Sequence, residues 1–309
     1  MSRVSTTGNF QSALLNLMAS QQQQADAANR VSTQKNATDL TGFGRSSETL
    51  TALKAASSRV QGFIDTGEVV GARLEAQDLA LNQMIDGIGG AREAIGGVLA
   101  SDSAGTLMLE LEGQFASVTG GLNARHQGGY LFGGANTTQQ PVSVATLSDL
   151  AAAPTVAGTF NNDTIKPVSR VAENTSIETG YLASDLGSTI FQIFKDIKAY
   201  NDNPATGPLT GKPTDAQKAF LTAQLSRLDA AKTATVDTAS RNGSLQKRVE
   251  QIGLSHTGQL TSLDEMVSKR TDADLAKAVT DLQLSQIAVQ ASAQVVSQLR
   301  DVSLLNYLR

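Results

Sequence analysis

Long apolar runs at 3.5-residue spacing, scarce aromatics and one aperiodic stretch in mid-chain predict a mainly α protein. The expected architecture is a long antiparallel helical hairpin and coiled-coil bundle formed by the N- and C-terminal regions, with a small β-rich insert in the middle. The strongest of these observations is the line Leu53, Val60, Gly67, Leu74, Leu81, Ile88 and Ile95, with a second line three residues on: Ala56, Phe63, Val70, Gln77, Met84, Ala91 and Val98. With 40% hydrophobic residues overall, about three of the first seven would be apolar by chance, and all but Gly67 are. A strict seven-residue repeat keeps one stripe against a partner helix over its whole length. At 1.5 Å per residue this stretch is a rod of roughly 65 Å. Aromatic residues are only 4% and Trp is absent, which suits thin helical layers better than a bulky globular core.

Taken in order, residues 10–31 carry a shorter seam, with Phe10, Leu14, Leu17, Ala28 and Val31 at helical spacing and the polar run Gln21 to Gln24 interrupting it. Gly42 and Gly44 mark a loop, and Ser46, Ser47 and Glu48 suit a helix start. The long helix then runs from about residue 48. Gly87, Gly89, Gly90, Gly96 and Gly97 weaken its end, so a break is expected between Gly96 and Ser103. Ala104, Met108, Leu111, Phe115, Val118 and Leu122 alternate spacings of three and four, and this third helix is expected to fold back antiparallel on the second.

Helical periodicity stops at about residue 135. Pro141, Pro154 and Pro167 appear among Gly and Asn, and β-branched stretches at 141–144 and 164–171 predict short strands. Helix returns with Ile190, Phe191, Phe194 and Ile197, and a turn-rich link follows from Asn201 to Pro213. Thr214-Asp-Ala-Gln217 has the form of a capping box opening a helix through Leu221, Leu228, Val249 and Val267. Thr271-Asp-Ala-Asp274 is a second cap signal. Beyond it Leu275, Leu282, Val289 and Val296 lie seven apart, with small residues at Ala278, Ser285 and Ser292. The regions expected are therefore the terminal helices, 1–45 and 271–309; a long-helix bundle, 46–134 and 186–270; and the insert, 135–185.

A terminal helix with an apolar stripe and no neighbour in sequence must find its partner at a distance, and the other terminus is the obvious one. The end helices carry further apolar positions, Leu284, Ile287, Leu304 and Leu305, beyond what one partner covers. The surplus implies neighbours from other copies or other proteins.

Chemistry finds little footing. A net charge of −4 without a dense basic tract gives no reason to propose nucleic acid or membrane as partner. No run approaches the ~20 apolar residues that span a bilayer, and no secretory h-region is seen at the N-terminus. Zero cysteines exclude disulfides and thiolate metal sites. Gly207-Pro-Leu-Thr-Gly211-Lys212-Pro213-Thr214 fails as a phosphate loop on glycine spacing and on the proline after the lysine. His126 and His256 have no metal-ligand spacing and read as solvated or helix-packed. Asp272 and Asp274 have a structural reason to be acidic at a helix start. There is no Gly-x-Ser-x-Gly elbow, so no catalytic, cofactor or metal site is assigned.

The C-terminal run Asp272-Ala-Asp274-Leu-Ala276, the segment Leu282 to Val296 with Gln290-Ala-Ser292, and the closing Val302-Ser-Leu-Leu-Asn-Tyr-Leu308 resemble the terminal helix of the bacterial flagellins and the related hook-filament junction proteins. Arg241-Asn-Gly243, Gln246-Lys-Arg248-Val249 and Arg30-Val-Ser-Thr33 with Lys35 are similar to further stretches of that family. Two departures stand out. The glycine that the family places before the lysine is Gln34, and its Asp-Asp-Pro is reduced to Asp39 followed by Leu-Thr-Gly, so the loop joining the first two helices is expected to differ. Tyr130, Leu131, Phe132, Gly133 and Gly134 resemble the run that ends the third helix in junction proteins and favour that branch over flagellin.

The resemblance implies an exported, extracellular structural subunit of the bacterial flagellum that leaves through type III export without a cleaved signal. It implies an inner, axial wall made by the terminal helices and an outward-facing insert. It also implies as partners other copies of the chain, the hook-side junction protein (the first hook-associated protein), flagellin and an export chaperone. Leu14, Leu17, Leu282, Val289, Val296 and Leu305 are the expected assembly seam. Flagellin itself is the alternative reading, and a cytoplasmic coiled-coil scaffold the third.

Overall fold

The computed structural model describes the backbone of residues 2–305 and the side chains of residues 8–300. The chain is mainly α. Helices α1 (Ser2–Thr33), α2 (Ser47–Ser101) and α3 (Leu107–Leu122) come first, followed by the two-residue strands β1 (Arg125–His126) and β2 (Gly129–Tyr130). The insert contains a short helix, α4 (Leu147–Ala152), and the antiparallel pair β3 (Val168–Ala172) and β4 (Thr175–Glu178). Helices α5 (Ala183–Asp202), α6 (Asp215–Thr271) and α7 (Leu275–Leu305) complete the described residues.

Two compact units result: Met1–Val60 with Gly258–Arg309, and Gln61–Thr257. Both divisions fall inside the long helices α2 and α6, rather than at 45/46 and 270/271, and residues 135–185 belong to the second unit together with its helices.

In the unit Gln61–Thr257, α2 and α3 are antiparallel, as their spacing predicts. Gln83 Nε2 donates to Ser117 O at 3.2 Å. A Cβ on Gly87 would lie 2.8 Å from a Val118 methyl, and one on Gly121 2.8 Å from Ala80 O. Gly87 thus lets α3 lie against α2, whereas Gly96 and Gly97 meet nothing within 4 Å; the helix ends at Ser101, inside the interval from Gly96 to Ser103 where the sequence places its break. The largely aliphatic core here holds a small aromatic cluster: Phe115 packs 5.0 Å from Phe191 and 5.5 Å from Phe194, and all three are fully buried.

The capping box forms as the sequence indicates. Gln217 N–H donates to Thr214 Oγ1 at 3.2 Å and Thr214 N–H to Gln217 Oε1 at 3.0 Å, opening α6. Asp274 Oδ1 accepts Lys277 N–H at 3.1 Å, a single N-cap bond that opens α7.

The insert holds less strand than its sequence suggests. Of the stretch 141–144, only a bridge between Val142 and Phe160 is paired, and the 164–171 stretch becomes strand only from Val168. Pro141 and Pro167 withhold backbone donors at these places. Asn123 takes the role of a neighbouring strand, accepting Val142 N–H at 2.9 Å and donating to Val142 O at 3.2 Å.

Candidate assembly surface

Helices α1 and α7 lie side by side and antiparallel within the unit Met1–Val60 with Gly258–Arg309. The end where the chain leaves α1 and enters α7 is closed by backbone bonds. Asn36 N–H donates to Thr271 O at 2.7 Å and Ala273 N–H to Gln34 O at 2.9 Å. Lys35 pairs with the Asp272 carboxylate, and Arg30 with Asp281 at 3.5 Å. Hydrogen bonds from Lys35, Ser268 and Thr271 hold the Asp272 carboxyl down at about 2.

Between these helices runs the seam. On α7 the buried and half-buried positions include Ala278, Leu282, Ser285, Val289, Ser292 and Val296, the seven-residue repeat of the sequence, with Asp281, Ala288 and Leu299 beside it; on α1 they include Phe10, Ala13, Leu17, Ser20 and Ala27. Ala27, Ala278 and Ser285 are the most deeply buried, because only small side chains fit where two backbones approach. Leu17, Leu282, Val289 and Val296 thus lie on the line between the two helices of one chain. Leu14 stands beside that line, 40% exposed, and Leu305 lies outside the residues whose side chains are described.

A second apolar face stays open. Leu284, Ile287, Ala291 and Val295 recur at spacings of three and four and so share one side of α7; Leu284 and Ile287 are 60% and 62% exposed. On α1, Leu15 and Met18 join Leu14 in solvent. Leu15 and Met18 escape a periodicity search because they fall off the seam; an exposed apolar side chain shows itself only once the partner helix is placed. No charged residue lies between Arg3 and Asp26 or between Asp281 and Arg300, so both faces are apolar and glutamine-bearing without ionic groups.

The Tyr130–Gly134 run plays a different part. Leu131 and Phe132 are core residues of the unit Gln61–Thr257. Leu131 O accepts Arg73 Nη2, and Phe132 O accepts Ala183 N–H at 3.0 Å. Gly133 bridges Leu182, so the two ends of the insert meet at this point. Neither glycine can be replaced cheaply. A Cβ on Gly133 would lie 2.2 Å from Asn136 O, and Gly134 adopts φ +70 with two carbonyl oxygens 3.0 Å from where its Cβ would be. Half-buried Tyr130 carries the Arg125 guanidinium over its ring, 4.7 Å from the centroid. The run is a clasp for the insert.

Among the described residues, no group of acidic or histidine side chains could hold a metal ion, and no helix is long and apolar enough to cross a membrane. His256 is the helix-packed kind: it stacks on Phe63 at 5.5 Å and its Nε2 lies 2.9 Å from Val171 O.

Residues 225–308 match the family described as the bacterial flagellin C-terminal helical region. The chain carries a flagellin-like C-terminal helical region. The chain shares its fold with two solved structures. One is a protein of Vibrio parahaemolyticus described as flagellar hook-associated, with a TM-score of 0.59 and 14% identity over 73% of this chain and 97% of that one. The other is Bacillus cereus FlgL, with a TM-score of 0.54 and 15% identity over 70% of this chain and 97% of that one. At these identities the likeness is one of fold. No curated protein matches at a significant level.

Proposed function

We propose that this chain is a structural subunit of the bacterial flagellum that joins hook to filament. The observation that carries the reading is the open apolar face of the α1–α7 pair. The two helices cover each other along one line and leave Leu284, Ile287 and Val295 in water. Faces of this kind on paired terminal helices are satisfied by repeated heterologous contacts, which build rings or helical tubes. The fold shared with hook-associated proteins and the match to the flagellin C-terminal region support a flagellar structural component. The clasp at Tyr130–Gly134, by its resemblance, supports the junction role.

In this reading α1 and α7 form the axial part of the assembly. The neighbours are further copies, the hook-side junction protein and flagellin, and an export chaperone accompanies the free chain. In this reading the protein stands outside the cell as part of the flagellum. Its work is mechanical rather than catalytic.

Immunogold labelling of isolated flagella tests the proposal. A narrow band of label at the hook boundary supports it, as does a deletion strain that retains hooks and loses flagellin to the medium. Label along the whole shaft instead assigns the chain as flagellin.

A further inference from the structure

Within the unit Gln61–Thr257, α2 and α6 are antiparallel, and fixed points set their level. Phe63 stacks on His256, Asn242 Nδ2 donates to Leu74 O at 2.7 Å, and Arg92 pairs with Asp229. Counting from these points, the α2 line Phe63, Val70, Gln77, Met84, Ala91, Val98 stands level by level with the α6 line His256, Val249, Asn242, Thr235, Leu228, Leu221. All of these residues except half-buried Phe63 are buried.

A seam that repeats every seven residues is degenerate. Sliding one helix by a heptad again brings apolar residues opposite apolar residues, so hydrophobic burial alone distinguishes the registers poorly. Beside the Phe63–His256 and Arg92–Asp229 contacts, one buried layer supplies a polar difference between the registers. Gln77 is the single amide in the α2 line, Asn242 the single amide in the α6 line, and both are 0% exposed. They fall at the same level. A slide of one heptad in either direction sets Gln77 opposite Val249 or Thr235, and Asn242 opposite Val70 or Met84. The two amides, whose side-chain oxygens have no hydrogen-bond partner in the native register, are then separated from each other, and the bond from Asn242 to Leu74 O is broken.

We propose that the Gln77–Asn242 layer sets the register of α2 on α6, as a buried polar position does in a coiled coil. Gln77 has a second task that ties this layer to the insert: its Nε2 donates to Thr179 O at 2.9 Å, just beyond β4. One buried layer thereby aligns the long helices with each other and the hairpin with both.

The chain has no cysteine, so paired spin labels are introduced cleanly. Exposed Glu75→Cys on α2 and Thr222→Cys on α6 stand at different levels, and a one-heptad slide changes their separation by most of ~10 Å. The labelled full-length chain is refolded from denaturant and the distance distribution measured. The native layer gives one distance. Asn242→Leu, which leaves the Gln77–Thr179 bond in place, and the double variant Gln77→Met/Asn242→Leu give a second population displaced by about one heptad. A single native-like distance in both variants overturns the proposal. So does the absence of a cooperative melt in both, because the layer would then be needed for folding itself and not for the choice among registers.

Discussion

The α1–α7 pair and the α3–α5 region are both built from helices, yet they end in opposite states. Around α3 and α5, Phe115, Phe191 and Phe194 are fully buried, and Phe160 adds a further ring 5.1 Å from Phe191. Between α1 and α7 the deepest positions are Ala27, Ala278 and Ser285, while the large side chains Leu15, Met18, Leu284 and Ile287 stand in water. The first region closes on itself by filling volume. The second closes by bringing backbones together and keeps its larger apolar groups for something else. Periodicity is common to both, and residue size at the seam decides which one is self-sufficient.

The largest effect tests the self-sufficient side. Phe191→Ala removes the ring that two other phenylalanines touch, and should destabilise the unit Gln61–Thr257 by about 3–5 kcal/mol in a denaturant titration. A loss below about 1 kcal/mol would mean that the aromatic cluster is not what closes this unit.

Next comes the open side. Ile287→Asp puts a carboxylate on the exposed α7 face, where it costs the isolated chain little. Sedimentation at rising concentration should show self-association lost, with the thermal transition of the central helices unchanged. Val289→Asp, two residues on, falls on the seam and should instead open the α1–α7 pair itself, seen as loss of amide protection along both helices. If the two variants behave alike, the distinction between seam and outer face fails. Because no charge lies between Asp281 and Arg300, association of the native chain should not weaken as salt rises from 0.05 to 0.5 M, roughly a threefold fall in Debye length.

The sequence made the helices legible because heptads report which residues share a face, and it made their caps legible because Thr214 and Gln217 are chemically specific. It located the insert by the loss of periodicity. It overstated the strands, since β-branched residues next to Pro141 and Pro167 carry the propensity without the donors. The outer face was half legible: surplus at Leu284 and Ile287 showed in the pattern, but Leu15 and Met18 did not. Exposure is a property of what is packed alongside, and one chain's periodicity cannot state it. The Tyr130–Gly134 run was recognisable as a motif, whereas its work as a clasp follows only from the Phe132–Ala183 and Gly133–Leu182 pairings.

A smaller effect lies at the closed end of the α1–α7 pair. The Asp272 carboxyl is held at about 2, below its ordinary 3.8, first by Lys35 and then by Ser268 and Thr271. A depressed carboxyl contributes stability that is fully present above its unfolded value and is lost as pH falls through the folded one. The clamp should therefore persist at pH 5 and open only toward pH 2. A carbon-detected titration of Asp272 should show the low midpoint, and Lys35→Met should return it toward the ordinary value. An ordinary midpoint in the native chain would remove this clamp from the account of how the pair is closed.

The smallest effect concerns Gln34, where this chain departs from the glycine of the family it resembles. Its φ is +57, in the left-handed region that a side chain makes costly by roughly 1–2 kcal/mol. The backbone is held there because Gln34 O accepts Ala273 N–H and, two residues on, Asn36 N–H reaches Thr271 O, so the strain is imposed by the closure of the α1–α7 pair. Gln34→Gly relieves it but loosens the unfolded chain by about 0.5–1 kcal/mol, leaving a net gain of up to ~1 kcal/mol. Exchange of the Ala273 amide, whose hydrogen bond ends on Gln34, should slow by up to about fivefold in Gln34→Gly and quicken in Gln34→Val. The self-sufficient unit should not respond to either change. If protection around Phe191 moved together with Ala273, the two regions would be a single cooperative body, and the contrast between a filled core and a seam left open for neighbours would have to be given up.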